Sequence, residues 1–319
     1  MRRSSINPIA ITAAAVGATI GIIAATRALL ATPPPEGAVV LVTGGSRGLG
    51  LAIASRFAER PVNLILAARS FAELQQAQET LLVRHPHLRP ENFYLVAADL
   101  TRPSECERMI GEAFTRFGRI DVLVNNAGII EVGPIEVLTA EIFEKTMQLN
   151  FFAALHSTWA ALPRLLSQAP GDGWNQRAAI VNISSIGGKF AVPHLLPYSA
   201  AKFALTGLSE GLHAELRGKG IRVTTVCPGL MRTGGEDHAT FHGDVEKEKA
   251  WFQTCAKTPG IATTPEHAAN RVFNAVAQGR AEITITPQAW LGARFAGVFP
   301  ETLQWLNGIT NEYLLPKAP

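Results

Sequence analysis

From residue 37 onwards, short runs of consecutive apolar residues alternate with longer stretches in which apolar residues recur every three or four positions. The short runs are typical of strands buried on both faces, and the longer stretches are typical of amphipathic helices. Their strict alternation predicts a parallel sheet with helices on both faces and right-handed crossovers. The predicted strands are residues 39–43, 63–68, 93–98, 121–125, 178–183, 222–226 and 282–286, and the predicted helices are residues 49–60, 71–85, 103–117, 142–166, 198–218 and 265–277. The chain is therefore predicted to be α/β, with a doubly wound parallel sheet of about seven strands.

The chain of 319 residues is longer than an average domain, but a single α/β domain with terminal extensions accounts for it. We assign this domain to residues 37–286, between an N-terminal segment at residues 1–36 and a C-terminal extension at residues 287–319. A net charge of +3, without a basic tract that interleaves with aromatic residues, gives no reason to expect a nucleic-acid partner. Three widely spaced cysteines exclude a disulfide framework and a clustered metal site. We therefore expect a reducing compartment and no metal.

A glycine-rich turn connects the first predicted strand to the first predicted helix, and it reads Gly44-Gly-Ser-Arg-Gly48-Leu-Gly50. Unpaired N–H groups and the dipole of the following helix make such a turn an anion site, whose natural occupant is a dinucleotide pyrophosphate. The spacing Gly-x-x-x-Gly-x-Gly is a longer variant of the Rossmann fingerprint. The sequence therefore predicts a Rossmann-type cofactor site with contacts from Gly44, Ser46, Arg47, Gly48, Leu49 and Gly50.

In NAD-binding sheets of this kind, an acidic residue near the end of the second strand binds the ribose 2′-hydroxyl. Here the second predicted strand ends in Ala68-Arg69-Ser70, which contains no carboxylate. Without that carboxylate, Arg69 and Arg47 are available to hold the 2′-phosphate of NADP, to which the guanidinium fork is suited. We expect NADP(H) to be preferred, with NAD(H) as the alternative cofactor. The alternative for Arg69 is a solvated residue at the end of the strand, without a role in cofactor binding. Asp99 and Leu100, at the end of the third predicted strand, are expected at the adenine edge.

Tyr198 and Lys202 are four residues apart in a predicted helix, so their side chains share one helix face. A free phenol titrates near pH 10, which is too high for proton transfer at neutrality. A neighbouring ammonium favours the phenolate and lowers the pKa of the phenol. We therefore expect Tyr198 to be a general acid and base whose pKa is lowered by Lys202.

The glycine spacing, the strand-ending Asn125-Asn126-Ala127-Gly128 and the Tyr198/Lys202 pair occur together in one order. With these motifs, the sequence resembles the short-chain dehydrogenase/reductase family, classical type, over roughly residues 37–286. The resemblance implies that Asn126, Ala127 and Gly128 lie along the adenosine side of the cofactor. It also implies that Pro228, Gly229 and Thr233 hold the nicotinamide carboxamide.

The same resemblance implies a catalytic tetrad of Asn150, Ser185, Tyr198 and Lys202. Ser185 lies 13 positions before Tyr198 and would bind the substrate oxygen, whereas its neighbour Ser184 fits this role less well. Asn150 would hold a water molecule in the proton relay. Lys202 would also hold the nicotinamide ribose.

The substrate side is predicted to be apolar. Residues 187–197 would form one wall of the pocket, with Phe190 and Leu195 among its substrate-binding side chains and His194 at its rim. Residues 232–264 follow the Pro-Gly motif in the position of the mobile lid of this family. Ser185 and Tyr198 complete the predicted substrate contacts.

Both terminal segments are apolar. Residues 4–26 carry no charge and are long enough to cross a bilayer, so we favour a membrane anchor over a cleaved signal peptide or a helix packed on protein. The C-terminal extension has apolar residues at near-helical spacing and either lies in a membrane interface or packs on the pocket or on a second subunit. This combination resembles the membrane-associated hydroxysteroid and ketoacyl reductases of the family, which implies a lipophilic ketone or alcohol substrate and a homodimer or homotetramer.

The sequence as a whole indicates an NADP-dependent oxidoreductase that acts on a carbonyl or a secondary alcohol. The alternatives are an epimerase or dehydratase on the same fold and a non-catalytic NADP-binding regulator. Arg2 and Arg3 favour a cytoplasmic N-terminus, which would place the domain outside, whereas the cofactor requires the domain inside. We follow the cofactor and expect a membrane-associated protein with a cytoplasmic catalytic domain, with a soluble cytoplasmic protein as the alternative.

Overall fold

The computed structural model describes residue 26 and residues 31–232, 238–257 and 262–317. Within these residues, seven parallel strands form one sheet in the order β3-β2-β1-β4-β6-β7-β9, and two short strands pair separately as β5-β8. The strands are β1 (Val39–Thr43), β2 (Asn63–Ala68), β3 (Phe93–Ala97), β4 (Val122–Asn125), β5 (Glu131–Val132), β6 (Ala178–Ile183), β7 (Ile221–Pro228), β8 (Thr240–Phe241) and β9 (Glu282–Ile285). The strand order reverses between β1 and β4, and the crevice at such a switch point is where doubly wound sheets bind ligands.

Helices cover both faces of the sheet. They are α1 (Gly48–Phe57), α2 (Phe71–Arg84), α3 (Pro103–Phe117), α4 (Ala140–Met147), α5 (Ala153–Ser167), α6 (Leu196–Leu216), α7 (Val245–Lys257), α8 (Pro265–Ala277), α9 (Pro287–Val298) and α10 (Pro300–Tyr313). Val40 and Val42 of β1 join a core cluster with α1, α2 and α8, whereas Val39 and Leu41 join a second cluster with α3 and α5. Because alternate side chains of one strand enter two apolar layers, a consecutive apolar run is required. The predicted α/β fold class is confirmed.

The predicted helix at residues 142–166 is divided. It begins earlier, at α4, and continues through a π-helical segment, Gln148–Phe152, into α5, which contains Pro163. A π-helical segment inserts one extra residue into the helical turn, and such segments are common at functional sites. Apolar periodicity does not detect this insertion because the residues on both sides stay helical.

Hydrogen bonds tie the end of β1 to the end of β4. The Thr43 hydroxyl donates to the Val124 carbonyl (3.2 Å) and accepts from the backbone N–H groups of Asn126 (2.9 Å) and Ala127 (3.1 Å). The Asn126 side chain donates to the carbonyl of Thr43 at 2.9 Å. These bonds fix the glycine-rich turn against the Asn-Ala-Gly segment across the switch point.

A buried polar network links the next strands to α6. Asn125 donates to Asn182 of β6 at 2.8 Å, and Asn182 donates to Ser209 of α6 at 3.0 Å. Thr225 of β7 donates to the same Ser209 at 2.8 Å. Buried networks of this kind are costly to distort, so the network fixes α6 relative to the ends of β4, β6 and β7.

The C-terminal extension forms α9 and α10, which pack on the loop that follows β6. A Cβ atom built on Gly292 of α9 would lie 3.1 Å from the Phe190 ring, and Asn307 of α10 donates to the Ala191 carbonyl at 3.0 Å. Of the alternatives for this extension, the structure therefore has it packed beside the predicted substrate wall of its own chain. On the opposite side of α9 and α10, Trp290, Trp305 and other large apolar side chains are exposed to solvent.

The predicted membrane anchor at residues 4–26 lies outside the described residues, except for Thr26. In the part of the chain that the structure does describe, no helix combines the length and the apolar character needed to span a bilayer. The proline-rich spacer packs on the domain: Thr32 donates its backbone N–H to the Ala277 carbonyl (3.0 Å), and Trp174 donates to the Thr32 carbonyl (3.1 Å).

Candidate active site

A cavity of about 700 Å³ opens at the carboxyl edge of the sheet, across the switch point between β1 and β4. Most of the predicted site residues line it. They are Gly44, Ser46, Arg47, Gly48, Leu49, Gly50, Arg69, Leu100, Asn126, Ala127, Gly128, Ser185, Tyr198, Lys202, Pro228 and Gly229. The exceptions are Asp99, Asn150, Phe190 and Leu195, which are not among the lining residues, and Thr233, which lies outside the described residues.

One end of the cavity is a cradle for an anion. Arg47 is the N-cap residue of α1, and its side chain makes no capping hydrogen bond; the first turn of α1 contains no acidic residue. Gly44 and Gly48 have positive φ angles of 63° and 55°, and a Cβ atom on Gly50 would collide with the Gly44 carbonyl. Tight glycine packing and uncapped N–H groups at the positive end of α1 match a pyrophosphate, so the residues present fit a dinucleotide.

Near the carboxyl ends of β1 and β2, the cavity lining contains a carboxylate that sequence reasoning missed. Glu73 lines the cavity together with Arg47 and Arg69. Ser46 donates its hydroxyl to Glu73 at 3.0 Å, and a guanidinium nitrogen of Arg47 lies 3.4 Å from the other carboxylate oxygen. The sequence signal was the Ser70-x-x-Glu73 pattern that starts α2, because Ser70 caps the helix by accepting from the Glu73 N–H at 3.3 Å.

Asp99, expected at the adenine edge, is not among the residues that line the cavity. Its carboxylate accepts from the Thr101 hydroxyl at 2.8 Å and from the Thr101 N–H at 3.2 Å. The hydrogen bonds from Thr101, opposed by partial burial and supported by the charges of Arg102 and Arg69, hold the pKa of Asp99 below its usual value. Leu100, the next residue, lines the cavity instead.

Tyr198 and Lys202 lie one turn apart near the start of α6 and both line the cavity. The Lys202 ammonium is 5.6 Å from the centre of the Tyr198 ring and donates to the Ile183 carbonyl at 2.8 Å. Lys202 is only 4% exposed, and burial lowers its pKa to about 8. The ammonium is thus held within the protein at the inner end of the cavity.

The electrostatics of Tyr198 differ from the expected direction. Burial raises the pKa of Tyr198, and a hydrogen bond with Ser185 acts in the opposite sense. The expectation that Lys202 lowers the pKa of Tyr198 below its usual value is therefore wrong for the protein alone, because desolvation of the phenol is the larger effect. The favoured state of Tyr198 is the protonated phenol, which is the state of a hydrogen-bond donor.

The two neighbouring serines have different surroundings. The Ser184 hydroxyl donates to the Lys202 carbonyl at 3.0 Å and shares a hydrogen bond with the Thr206 hydroxyl at 2.8 Å. The Ser185 hydroxyl accepts from the Gly187 N–H at 3.0 Å and bonds to Tyr198. Ser184 therefore fixes α6 on β6, whereas Ser185 is available beside the phenol.

Asn150 is buried in the π-helical segment and does not line the cavity. Its carboxamide accepts from the Ile129 N–H and donates to the Ile129 carbonyl, both at 2.8 Å. A Cβ atom on Gly128 would lie 2.6 Å from the Asn150 side-chain oxygen. The side chain thus supports the Gly128–Ile129 backbone at the cavity wall.

The predicted substrate wall, residues 187–197, packs against the C-terminal helices. Phe190 contacts α9, as described above, and Leu195 precedes α6; neither side chain is among those that line the cavity. The prediction that His194 lies at the rim is wrong. His194 is 5% exposed, has a φ angle of 63°, and its Nδ1 lies 2.8 Å from a carboxylate oxygen of Glu248 on α7.

The described part of the predicted lid is attached to the domain on two sides. Glu248 holds His194 on one side, and on the other β8 pairs with β5, where the buried carboxylate of Glu131 lies 2.8 Å from His242 and 2.9 Å from the Lys145 ammonium. Sequence reasoning also missed His238, which precedes β8 and lines the cavity. Its position after residues 233–237 gave no periodic signal.

Comparison with known proteins agrees with this geometry. The sequence model of the short chain dehydrogenase family matches residues 38–242. The chain is 30% identical over 254 residues to a dehydrogenase/reductase SDR family protein 7-like protein of Anopheles gambiae, covering 80% of this chain and 76% of that one. It is 30% identical over 280 residues to 11-beta-hydroxysteroid dehydrogenase A of Sesamum indicum, covering 85% of this chain and 74% of that one.

Among solved structures, a short-chain dehydrogenase from Streptomyces avermitilis superposes with a TM-score of 0.68 at 27% sequence identity. The match covers 86% of this chain and 99% of that one. The glycine-rich turn, the cavity at the switch point and the Tyr198/Lys202 pair lie within the matched family region. The chain therefore belongs to the short-chain dehydrogenase family of NAD(P)-dependent oxidoreductases.

Proposed function

We propose that this protein is an NADP(H)-preferring oxidoreductase that transfers hydride between nicotinamide and a lipophilic ketone or secondary alcohol of hydroxysteroid or ketoacyl type. The observation that carries the proposal is one cavity with an anion cradle at one end and Ser185, Tyr198 and Lys202 at the other. This arrangement brings a proton donor and a redox cofactor to the same pocket. The non-catalytic alternative is disfavoured because both Tyr198 and Lys202 line the cavity.

Ser185 and Tyr198 are the proposed groups that act on the substrate oxygen. The bound nicotinamide supplies or accepts the hydride. As negative charge grows on a carbonyl oxygen, the two hydroxyls donate hydrogen bonds to it, and Tyr198 transfers its proton as the alkoxide forms. In the oxidative direction Tyr198 accepts the proton from the alcohol.

Lys202 and Asn150 have supporting roles in this proposal. A Lys202 pKa of about 8 leaves most of this side chain protonated at pH 7, where it stabilises the phenolate that Tyr198 becomes during turnover. Its fixed position, set by the Ile183 carbonyl, also suits it to hold the nicotinamide ribose. Asn150 positions the Gly128–Ile129 wall through the two hydrogen bonds described above.

The proposed cofactor preference rests on Arg47 and Arg69, which both line the cavity near the carboxyl ends of β1 and β2. We propose that this is the adenosine end of the cavity. A 2′-phosphate carries three acceptor oxygens that match guanidinium donors. Binding of NADP(H) is therefore proposed to be tighter than binding of NAD(H).

The lipophilic substrate is proposed from the apolar surroundings of the reaction centre. Ile129, Ile130, Leu149 and Met231 line the cavity, and α9 and α10 extend the protein beside the loop at residues 187–197. The relative from Sesamum indicum is named as a hydroxysteroid dehydrogenase, which is consistent with this class. A pocket of this kind binds large apolar ligands through burial of their surface.

Membrane association with the catalytic domain on the cytoplasmic side, and a homodimer or homotetramer, are also proposed. The outer surface of α9 and α10 exposes Trp290 (51%), Trp305 (66%) and Tyr313 (71%), and amphipathic aromatic side chains favour a membrane interface. Exposed Trp159 on α5 and Phe203 on α6 suit a second subunit.

We predict that the full chain sediments with lipid vesicles, and that replacement of both Trp290 and Trp305 by Ser reduces the bound fraction. For the oligomeric state, which is a separate prediction, light scattering of the protein in detergent should give two or four chains per particle. The double replacement of Val83, near the end of α2, and His87, in the turn that follows, by Ser serves as the control, because both side chains are exposed. Full vesicle binding by the tryptophan variant would contradict a role for this surface in membrane binding.

We predict that a panel of ketones and alcohols, followed by nicotinamide absorbance, gives the highest kcat/KM with a lipophilic ketone and NADPH. The apolar lining favours burial of such substrates by about 25 cal/mol per Å² of apolar surface. One NADPH should be oxidised for each ketone reduced. Turnover of a substrate without net oxidation of NADPH would favour the epimerase or dehydratase alternative, and activity on small polar carbonyls alone would contradict the lipophilic class.

We predict that Lys202→Met abolishes most activity and stabilises the fold at pH 7. The pKa of Lys202 is about 8 in the folded protein and about 10.4 in an unfolded chain, so below pH 8 both states are protonated and the folded state carries the cost of the buried charge. The upper limit of that cost is about 3 kcal/mol. The stability difference should shrink as the pH rises from 8 towards 10.4.

Urea unfolding of the two proteins at several pH values measures this difference. Lys219→Met, at an exposed position after α6, is the control and should change neither activity nor stability appreciably. A Lys202→Met protein that is less stable than the wild type at pH 7 would contradict the assigned cost of burying this ammonium.

A further inference from the structure

Glu73 holds two groups of the glycine-rich turn that a cofactor phosphate would otherwise use. One carboxylate oxygen accepts from the Ser46 hydroxyl at 3.0 Å, and the other lies 3.4 Å from a guanidinium nitrogen of Arg47. Both partners, together with Glu73 itself, line the adenosine end of the cavity. Asp99, the carboxylate that the sequence predicts at this end, is not among the residues that line the cavity.

The position of Glu73 is fixed by the helix that carries it. It occupies the first turn of α2, where Ser70 accepts its backbone N–H, and the next residue, Leu74, is fully buried in the core. The side chain is about half exposed, at 42%, so it borders the cavity without being enclosed. A carboxylate in this position faces the same space as Arg47 and Arg69.

A carboxylate there has opposite effects on the two nicotinamide cofactors. It repels a 2′-phosphate, which carries a charge of about −1.5 to −2 at neutral pH, and it withholds Arg47 and Ser46 from that phosphate. A ribose 2′-hydroxyl, by contrast, can donate a hydrogen bond to it. Among the residues that line this part of the cavity, two cations therefore favour NADP(H) and one anion favours NAD(H).

We propose that Glu73 is a specificity-determining residue that limits the preference for NADP(H) by engaging Arg47 and Ser46 and by facing the 2′ position of the adenosine ribose. This inference rests on the proposed binding of a nicotinamide dinucleotide in the cavity. It adds that the cofactor ratio is set by a residue of α2 as well as by the arginines.

The test is the affinity of the full chain for NADPH and for NADH, measured by the change in reduced-nicotinamide fluorescence on binding, without substrate and at constant salt. Glu73→Gln keeps the shape of the side chain and an acceptor oxygen but removes the charge. Exposed ion pairs are worth up to about 1 kcal/mol, so the Kd for NADPH should fall by roughly fivefold. The Kd for NADH should stay within about twofold or rise.

A control variant and a double variant show whether the change in the Kd ratio comes from Glu73 and its ion pair with Arg47. Glu79→Gln removes an exposed carboxylate elsewhere on α2 and should leave the ratio of the two Kd values unchanged. In an Arg47→Gln background, Glu73→Gln should produce a smaller gain for NADPH, because the ion pair is already absent. An unchanged Kd ratio in Glu73→Gln, or a shift towards NADH, would overturn the role of Glu73. If neither cofactor binds the wild-type protein, the proposed function itself fails.

Discussion

The direction of the strands is the constraint on which the site depends. All seven strands of the main sheet run parallel, so their carboxyl ends meet at one edge. The segment after β1 carries the anion cradle, the segment after β6 carries Ser185, and α6 carries Tyr198 and Lys202. The chain segments that follow β1 and β4 run to opposite faces of the sheet, so a crevice opens between the ends of these two strands. The Thr43 and Asn126 hydrogen bonds then hold the two sides of that crevice at a fixed separation.

Burying the charged and polar side chains of the site lowers the free energy of unfolding. Lys202 is an ammonium with 4% exposure whose pKa falls to about 8, and Tyr198 is a phenol whose pKa burial raises. Buried groups with shifted pKa values are common where a protein needs proton transfer, and they reduce stability where they occur. The hydrogen bond from Lys202 to the Ile183 carbonyl offsets part of this cost and fixes the ammonium near the phenol.

Much of this could be predicted from the sequence. Consecutive apolar runs gave all seven strands of the main sheet to within a few residues, because strands buried on both faces have no polar alternative. The glycine spacing and the Tyr198/Lys202 pair located the cavity because each depends on local geometry. The missed features depend on contacts between distant segments: Glu73 reaches the glycine turn from another helix, and His194 is buried by α7. No periodic pattern encodes such contacts.

The measurement that tests the account most directly is the activity of Tyr198→Phe, compared with its affinity for NADPH. Removal of one hydroxyl eliminates the proposed proton donor while leaving the anion cradle and Lys202 in place. General acid catalysis contributes factors of about 10² to 10⁴, so turnover should fall by at least about a hundredfold. The Kd for NADPH should change by less than about twofold. Tyr313→Phe, at a position that is 71% exposed on α10, should behave as the wild type. A Tyr198→Phe enzyme that retains wild-type turnover would contradict the assignment of Tyr198 as the proton donor.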